Sequence, residues 1–332
     1  MGRGIFVINA LTGAVFWRAG PDIGADKPVV AMQYAMPADL FVLNRDGDNA
    51  RTLTPTTARE NVGRGFVDRI YAPDTGGNVW RADIDPVSKM DWAVRRLANI
   101  SAPGLVNTRK FLYKVDAVAG SDPTGGFDAI LVGSGDREHP FDATVSNRIY
   151  MFKDRIQSIP AVGAAPPATI TTTELYDATA NDVQETTGAT QTAARALLDA
   201  ASGWRIILGT GEKVTTNVVT VAGESFFNTN QPSASASSVL GNCESNLGIA
   251  RLYNVRFDDA SASRDLNGST TLTSADRSQV KAGGGFAPPP VQVVVKIDGK
   301  LKEAVVTFPV PTTVTGPPRD ARLRTYWQRK LD

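Results

Sequence analysis

The chain has 332 residues, 42% of them hydrophobic and 21% charged, a balance that excludes bulk disorder. Its 35 Lys and Arg against 34 Asp and Glu leave a net charge of +1, without the basic excess that a nucleic-acid partner calls for. No apolar run is long enough to span a bilayer as a helix, and one histidine (His139) and one cysteine (Cys243) exclude a His-rich metal site, a zinc knuckle and an internal disulfide.

Met1–Ala10 lacks the charged start and cleavable apolar run of a signal peptide. Strand signals begin at once. Gly4–Ala10 is β-branched and aromatic, turns at Thr12-Gly13, and is followed by Ala14–Arg18, which predicts a hairpin. Val67–Tyr71, the turn Asp74-Thr-Gly-Gly77 and Asn78–Ile84 repeat the unit. Ala129–Val132, the Gly133–Asp136 turn and Asn147–Phe152 repeat it more loosely, and Trp204–Leu208 and Gly248–Arg256 read as later copies. Strand, Gly-rich turn and aromatic-bearing strand, recurring at roughly 60 residues, predict an all-β propeller with inserted loops. A β-sandwich is the alternative.

Helix signals are few. Thr173–Ala180 is weak, and the Ala-rich Thr186–Ala201 predicts a helix capped near Gly203 within a partly helical insertion over 165–202. Ser233–Ser238 and Gly283–Pro290 read as low-complexity loops. Asn9-Ala-Leu-Thr-Gly-Ala-Val-Phe-Trp17 approaches a blade-docking pattern of quinoprotein dehydrogenases, so Trp17, Trp80 and Trp204 are expected in the core. Two alternatives are a quinoprotein-like oxidoreductase propeller, disfavoured by the single cysteine where that class uses a vicinal disulfide, and a generic protein-binding propeller scaffold.

Asn44-Arg-Asp46-Gly-Asp48 places side-chain oxygens at i, i+2 and i+4, as a tight loop needs to aim ligands at one hard cation. Asp-Gly is also an ordinary turn dipeptide. If Asn49–Arg64 is an insertion, Asp48 is followed by Gly65-Phe66-Val67-Asp68, which restores D/N-x-D-x-D-G-x-x-D. The ligands would be Asn44, Asp46, Asp48, Asp68 and the carbonyl of Phe66, an oxygen set suited to Ca²⁺.

Gly133-Ser-Gly-Asp-Arg-Glu-His-Pro140 has a serine, a histidine and two acids, but Val132 stands where a nucleophile elbow needs glycine. The expectation is a blade turn without chemistry, in which Arg137 and Glu138 brace a neighbouring blade and Gly133 and Gly135 supply unusual backbone geometry. Cys243 has no base beside it and reads as a free thiol expected to pair with a segment missing from this sequence.

Pro37–Asp48, Val67–Asp83, Gly133–Pro140, Thr210–Lys213, Asn242–Arg251 and Arg324–Trp327 together resemble the C-terminal domain of PilC/PilY-type proteins of type IV pilus biogenesis. The resemblance implies a modified seven-bladed β-propeller, here without its first blades, and a calcium loop at Asn44, Asp46, Asp48 and Asp68. It implies a non-enzymatic tip adhesin that regulates pilus extension and retraction. The implied partners are minor pilins, the assembly machinery and a host or abiotic surface, with export through the periplasm to the cell surface. Asn44 in place of the usual Asp and the 49–64 insertion are departures from the family pattern.

Overall fold

The computed structural model describes residues 2–44, 67–84, 88–101, 109–156, 165–233, 247–297, 300–307 and 312–313. The first sheet contains β1 (Ile5–Ile8), β2 (Val15–Gly20) and the short β3 (Lys27–Pro28). The second runs antiparallel through β4 (Phe41–Leu43), β5 (Arg69–Pro73), β6 (Asn78–Asp83) and β7 (Ala93–Asn99). The third is built on β8 (Asp116–Asp122), β9 (Gly125–Gly133) and β10 (Arg148–Asp154).

From β10 the chain enters the expected insertion, which is not purely helical. β11 (Ile170–Thr171) adds in parallel to β7 of the second sheet, while β12 (Tyr176–Asp177) adds in parallel to β13 (Gly203–Ile207) of the third. This strap therefore joins the outer edges of two sheets. Thr173–Ala180, weakly helical by sequence, is instead one 3-10 turn and β12, because its backbone groups are taken by those edges. Two helices follow, α1 (Asp182–Glu185) and α2 (Gly188–Ala200), and α2 buries Ala194 and Leu198 against the third sheet.

Ala201, in extended conformation, caps α2, so Gly203 is not the cap. Gly203 opens β13 with φ of +144°, and a Cβ there would lie 1.9 Å from the Met151 carbonyl oxygen. No other residue fits so close an approach. β13 then pairs with β10, so Trp204–Leu208 closes the third sheet and is not a further copy of the hairpin unit.

The fourth sheet comprises β14 (Lys213–Val214), β15 (Val219–Val221), β16 (Glu224–Gln231), β17 (Ile249–Arg256) and β18 (Ser278–Lys281). The fifth comprises β19 (Val291–Ile297), β20 (Lys300–Val306) and β21 (Thr312–Thr313). The described residues thus form five sheets where the resemblance implies seven blades.

Each central sheet is buried on both faces. On β5, Ile70 and Ala72 pack toward the first sheet and Tyr71 toward the third. Ile130 and Val132 of β9, with Tyr150 and Phe152 of β10, pack toward the second sheet; Ala129, Leu131, Ile149 and Met151 pack toward the fourth. Period-two alternation with both phases buried is what makes Ala129–Val132 and Ile149–Phe152 continuous apolar runs. Sheets stacked in this way are propeller blades. Trp17, Trp80 and Trp204 are all buried in the layers between sheets, as expected.

The Asp74 turn shows how a blade corner is held. Its buried carboxylate accepts the Gly76 N–H at 2.8 Å, the Asn78 N–H at 3.0 Å, the Asn78 side-chain amide and the Trp80 indole N–H at 2.8 Å. Asn9 does part of this in the first sheet, accepting the N–H groups of Leu11 and Thr12.

Candidate functional site

The ordinary antiparallel register of β4 on β5 settles where the two ends of the expected calcium loop lie. Phe41 pairs with Tyr71, Val42 with Ile70 and Leu43 with Arg69. The Asp68 N–H continues this ladder, donating to the Leu43 carbonyl at 3.1 Å, so Asn44 and Asp68 leave the same hairpin end side by side. Asn44 is exposed and Asp68 is buried. Asp68 is pinned from its other side by the Ile84 N–H, which donates to its carbonyl at 2.8 Å. Asp46, Asp48 and Phe66, with the 49–64 segment, lie outside the described residues, as does Cys243.

Directly behind Asp68 runs a buried charged seam. Strand pairing puts Arg69 opposite Asp83, Tyr71 opposite Arg81, and Arg81 opposite Arg95, all on the face turned to the third sheet. That sheet answers with Asp128 and Asp154, themselves cross-strand partners. Arg69 reaches Asp128 at 2.6 Å and Asp83 at 3.6 Å; Arg81 reaches Asp154 at 2.7 Å; Arg95 reaches Asp154 at 2.8 Å. The Tyr71 hydroxyl donates to Asp154 at 2.8 Å.

Two carboxylates facing each other across a ladder repel unless cations lie between them. Burial pushes the Asp154 carboxyl upward, but Arg81 and Arg95 outweigh it and hold the group below the usual carboxylate range. Burial together with the Asp154 charge raises the Tyr71 phenol well above its ordinary value. Sequence reading missed this seam. Alternating charges at Arg69, Arg81 and Asp83 look like a solvated strand face until both faces of the sheet are covered.

The Gly133–Pro140 loop separates its two suggestive side chains. Ser134 is buried: its hydroxyl accepts the Arg148 N–H at 2.9 Å and lies 3.2 Å from both the Asn147 amide oxygen and the Arg148 carbonyl. His139 is exposed, its Nδ1 3.0 Å from Asp136, which also takes the Lys110 ammonium at 2.6 Å. Asp136, Glu138 and His139 are close enough to share an ion, but Lys110 already balances Asp136.

Arg137 does brace the loop, donating to the Tyr113 hydroxyl at 3.1 Å and lying over the Phe286 ring. Glu138 is exposed, and among the described residues no contact of its carboxylate marks it as a brace. Gly133 and Gly135 serve space rather than backbone geometry. A Cβ on Gly133 would meet the Val214 side chain at 2.4 Å, and one on Gly135 the Val214 carbonyl at 2.7 Å.

Sequence reading also missed an oxygen-rich loop, Asp265–Asp276, for which the Asp265-x-Asn267-x-Ser269 spacing is the available signal. Asp265 accepts the N–H groups of Gly268 and Thr270 at 2.6 and 3.0 Å, and buried Asp276 accepts those of Leu266 and Thr273. These bonds account for the shape of the loop.

No family model and no curated protein matches the chain. Among solved structures, the chain is similar to the C-terminal domain of PilY1 from Pseudomonas aeruginosa, with a TM-score of 0.58 and 14% identity over 95% of this chain. The chain spans 66% of that structure's length. It has that domain's β-propeller fold. An exo-1,5-α-L-arabinanase from a bovine ruminal metagenomic library aligns over 71% of the chain and 64% of its own length at 11% identity, with a TM-score of 0.26, too low to bear on the fold. Among the described residues no helix is long and apolar enough to cross a membrane.

Proposed function

We propose that the chain is a calcium-binding β-propeller module of a surface-exposed, type IV pilus-associated protein. It acts through protein contacts rather than catalysis, regulating pilus extension and retraction and supporting adhesion and twitching motility. The reading is supported by the PilY1-like fold together with one geometric observation: β4 and β5 bring Asn44 and Asp68, the first and last residues of D/N-x-D-x-D-G-x-x-D, to one hairpin end. A neutral amide and a buried carboxylate at that end fit the oxygen chemistry of Ca²⁺. Asp46, Asp48 and the Phe66 carbonyl would complete the set.

Bound Ca²⁺ would supply a fixed positive charge that oxygens from both hairpin ends can share. The chain's own residues do the coupling. Asp68 is adjacent to Arg69, whose guanidinium ties the second sheet to Asp128 of the third. A hairpin end held in place thereby holds the seam between two blades, and the bracing of that seam is what minor pilins or the assembly machinery would meet.

Melting the full chain in calcium and in chelator tests this. At calcium about a hundredfold above Kd the Tm is expected to rise by about 5 °C. Asp46→Ala removes one of three carboxylates and is expected to abolish the rise. No rise, or one that survives Asp46→Ala, contradicts the calcium reading. Purified protein is expected to leave ester and peptide substrates intact, and hydrolysis lost on Ser134→Ala would overturn the non-catalytic reading. Co-sedimentation with sheared pili tests the association itself.

A further inference from the structure

Three buried donors without acceptors lie together on the third sheet. The Arg148 Nε, the Tyr150 hydroxyl and the Arg205 Nε are each shielded from solvent, and among the described residues none has a partner in good hydrogen-bond geometry, although the Arg148 side chain lies close enough to the Tyr150 hydroxyl to favour its ionised form. Strand pairing explains why they converge. Arg148 and Tyr150 are two apart on β10, and Arg205 of β13 is the cross-strand partner of Tyr150, so all three share one face, the face under the strap.

The aromatic floor is rigid. The Tyr150 ring stacks on Phe152 at 5.6 Å and meets Phe111 edge-on at 5.9 Å, which fixes where its hydroxyl points. Arg205 is anchored above by the Thr172 and Leu175 carbonyls of the strap, at 2.7 and 3.0 Å. Arg109 approaches from the side, held by the Ser146 carbonyl at 2.8 Å.

The charge balance is one-sided. Among the described residues, Asp177 is the one carboxylate that pairs with any of these guanidinium groups, bonding Arg205 at 3.1 Å. Arg148 forms no ion pair with a described carboxylate. Burial is the main cause that lowers its pKa, and Arg109 and Arg205 add to it against the opposing pull of Tyr150 and Asp177. Buried donors are expected to be satisfied, and a water would answer the orphan donors without answering the charge. Arg148 and Arg205 as whole residues are only partly buried, while the three unpartnered atoms lie beneath that surface.

We propose that Arg148, Tyr150 and Arg205, with Arg109 beside them, form a receptor site for a single oxyanion of the carboxylate or phosphate class. The planar guanidinium fork of Arg148 is suited to two oxygens of such a group. The site stands apart from the Asn44–Asp68 loop and does not depend on the calcium reading.

The test is thermal melting of the full chain at constant ionic strength, with chloride replaced in separate arms by inorganic phosphate or by acetate. At least one arm is expected to raise the Tm by about 2 °C over chloride, and the arm that does so separates tetrahedral from planar recognition. Arg148→Gln is expected to erase the rise while leaving the Tm in chloride equal or higher, because it relieves repulsion from Arg109 and Arg205. A merely structural arginine would lower it. Tyr150→Phe removes only the orphan hydroxyl, should fold as the wild type does, and should shrink the rise. No oxyanion effect over chloride, or one that persists in both variants, overturns the proposal.

Discussion

Asp154→Ala is expected to lower the unfolding free energy by about 3–5 kcal/mol, the usual cost of breaking a buried ion pair from one side. Asp154 is the acceptor on which Arg81, Arg95 and Tyr71 all close, across the boundary between the second and third sheets. Its removal takes from Arg95 its carboxylate partner and leaves the buried Arg81 guanidinium with Asp83 as its remaining counter-charge. Urea unfolding measures the loss, and a change under about 1 kcal/mol would mean that the seam relaxes around the gap. The pH dependence has a definite sign. Because the folded-state pKa of Asp154 is held below its unfolded value, its contribution is fully present above about pH 4 and is lost as pH falls through the lower folded value. Asp154→Ala should therefore flatten the acid limb of the stability curve.

Asp74→Ala is expected to cost about 3 kcal/mol by a different route, the orphaning of buried donors. The Trp80 indole N–H, the Asn78 amide and two backbone N–H groups all end on this carboxylate. Without it the turn between β5 and β6 has no acceptor at its centre, and Trp80 loses the bond that orients its ring between the first and second sheets. Urea unfolding gives the magnitude. Trp80 fluorescence gives the cause, since a ring released from the layer shifts its emission to the red. A destabilised variant with unchanged emission would place the loss elsewhere in the turn.

The strands that sequence reading located are those whose signals are local. Ile5–Ile8 and Val15–Gly20 are bracketed by a glycine turn, and Arg69–Pro73 and Asn78–Asp83 flank Asp74-Thr-Gly-Gly77. The buried tryptophans followed from the same units. Long-range partnership was not legible. Nothing near Trp204 shows that this strand returns across a long insertion to pair with β10, and nothing near Ile170 or Tyr176 shows a strap shared by two sheets.

The charged seam was hidden for a related reason. Arg69, Arg81 and Asp83 announce a polar face, and only the arrival of Asp128 and Asp154 from another sheet turns that face into an interior. Of the proposed calcium loop, the described residues include Asn44 and Asp68, which the ladder from Leu43 to Arg69 brings to one hairpin end. The glycines at 133 and 135 were read as backbone devices because a sequence displays the missing side chain but not the Val214 that needs its space.

Anomalous diffraction from crystals of the full chain grown in calcium would test the central claim most directly. The account predicts a single strong peak at the β4–β5 hairpin end, ligated by Asp46, Asp48, Asp68, Asn44 and the Phe66 carbonyl at the 2.3–2.6 Å expected for Ca²⁺. A hairpin end without a peak, or an Asp68 carboxylate turned away from the other four residues, would contradict it.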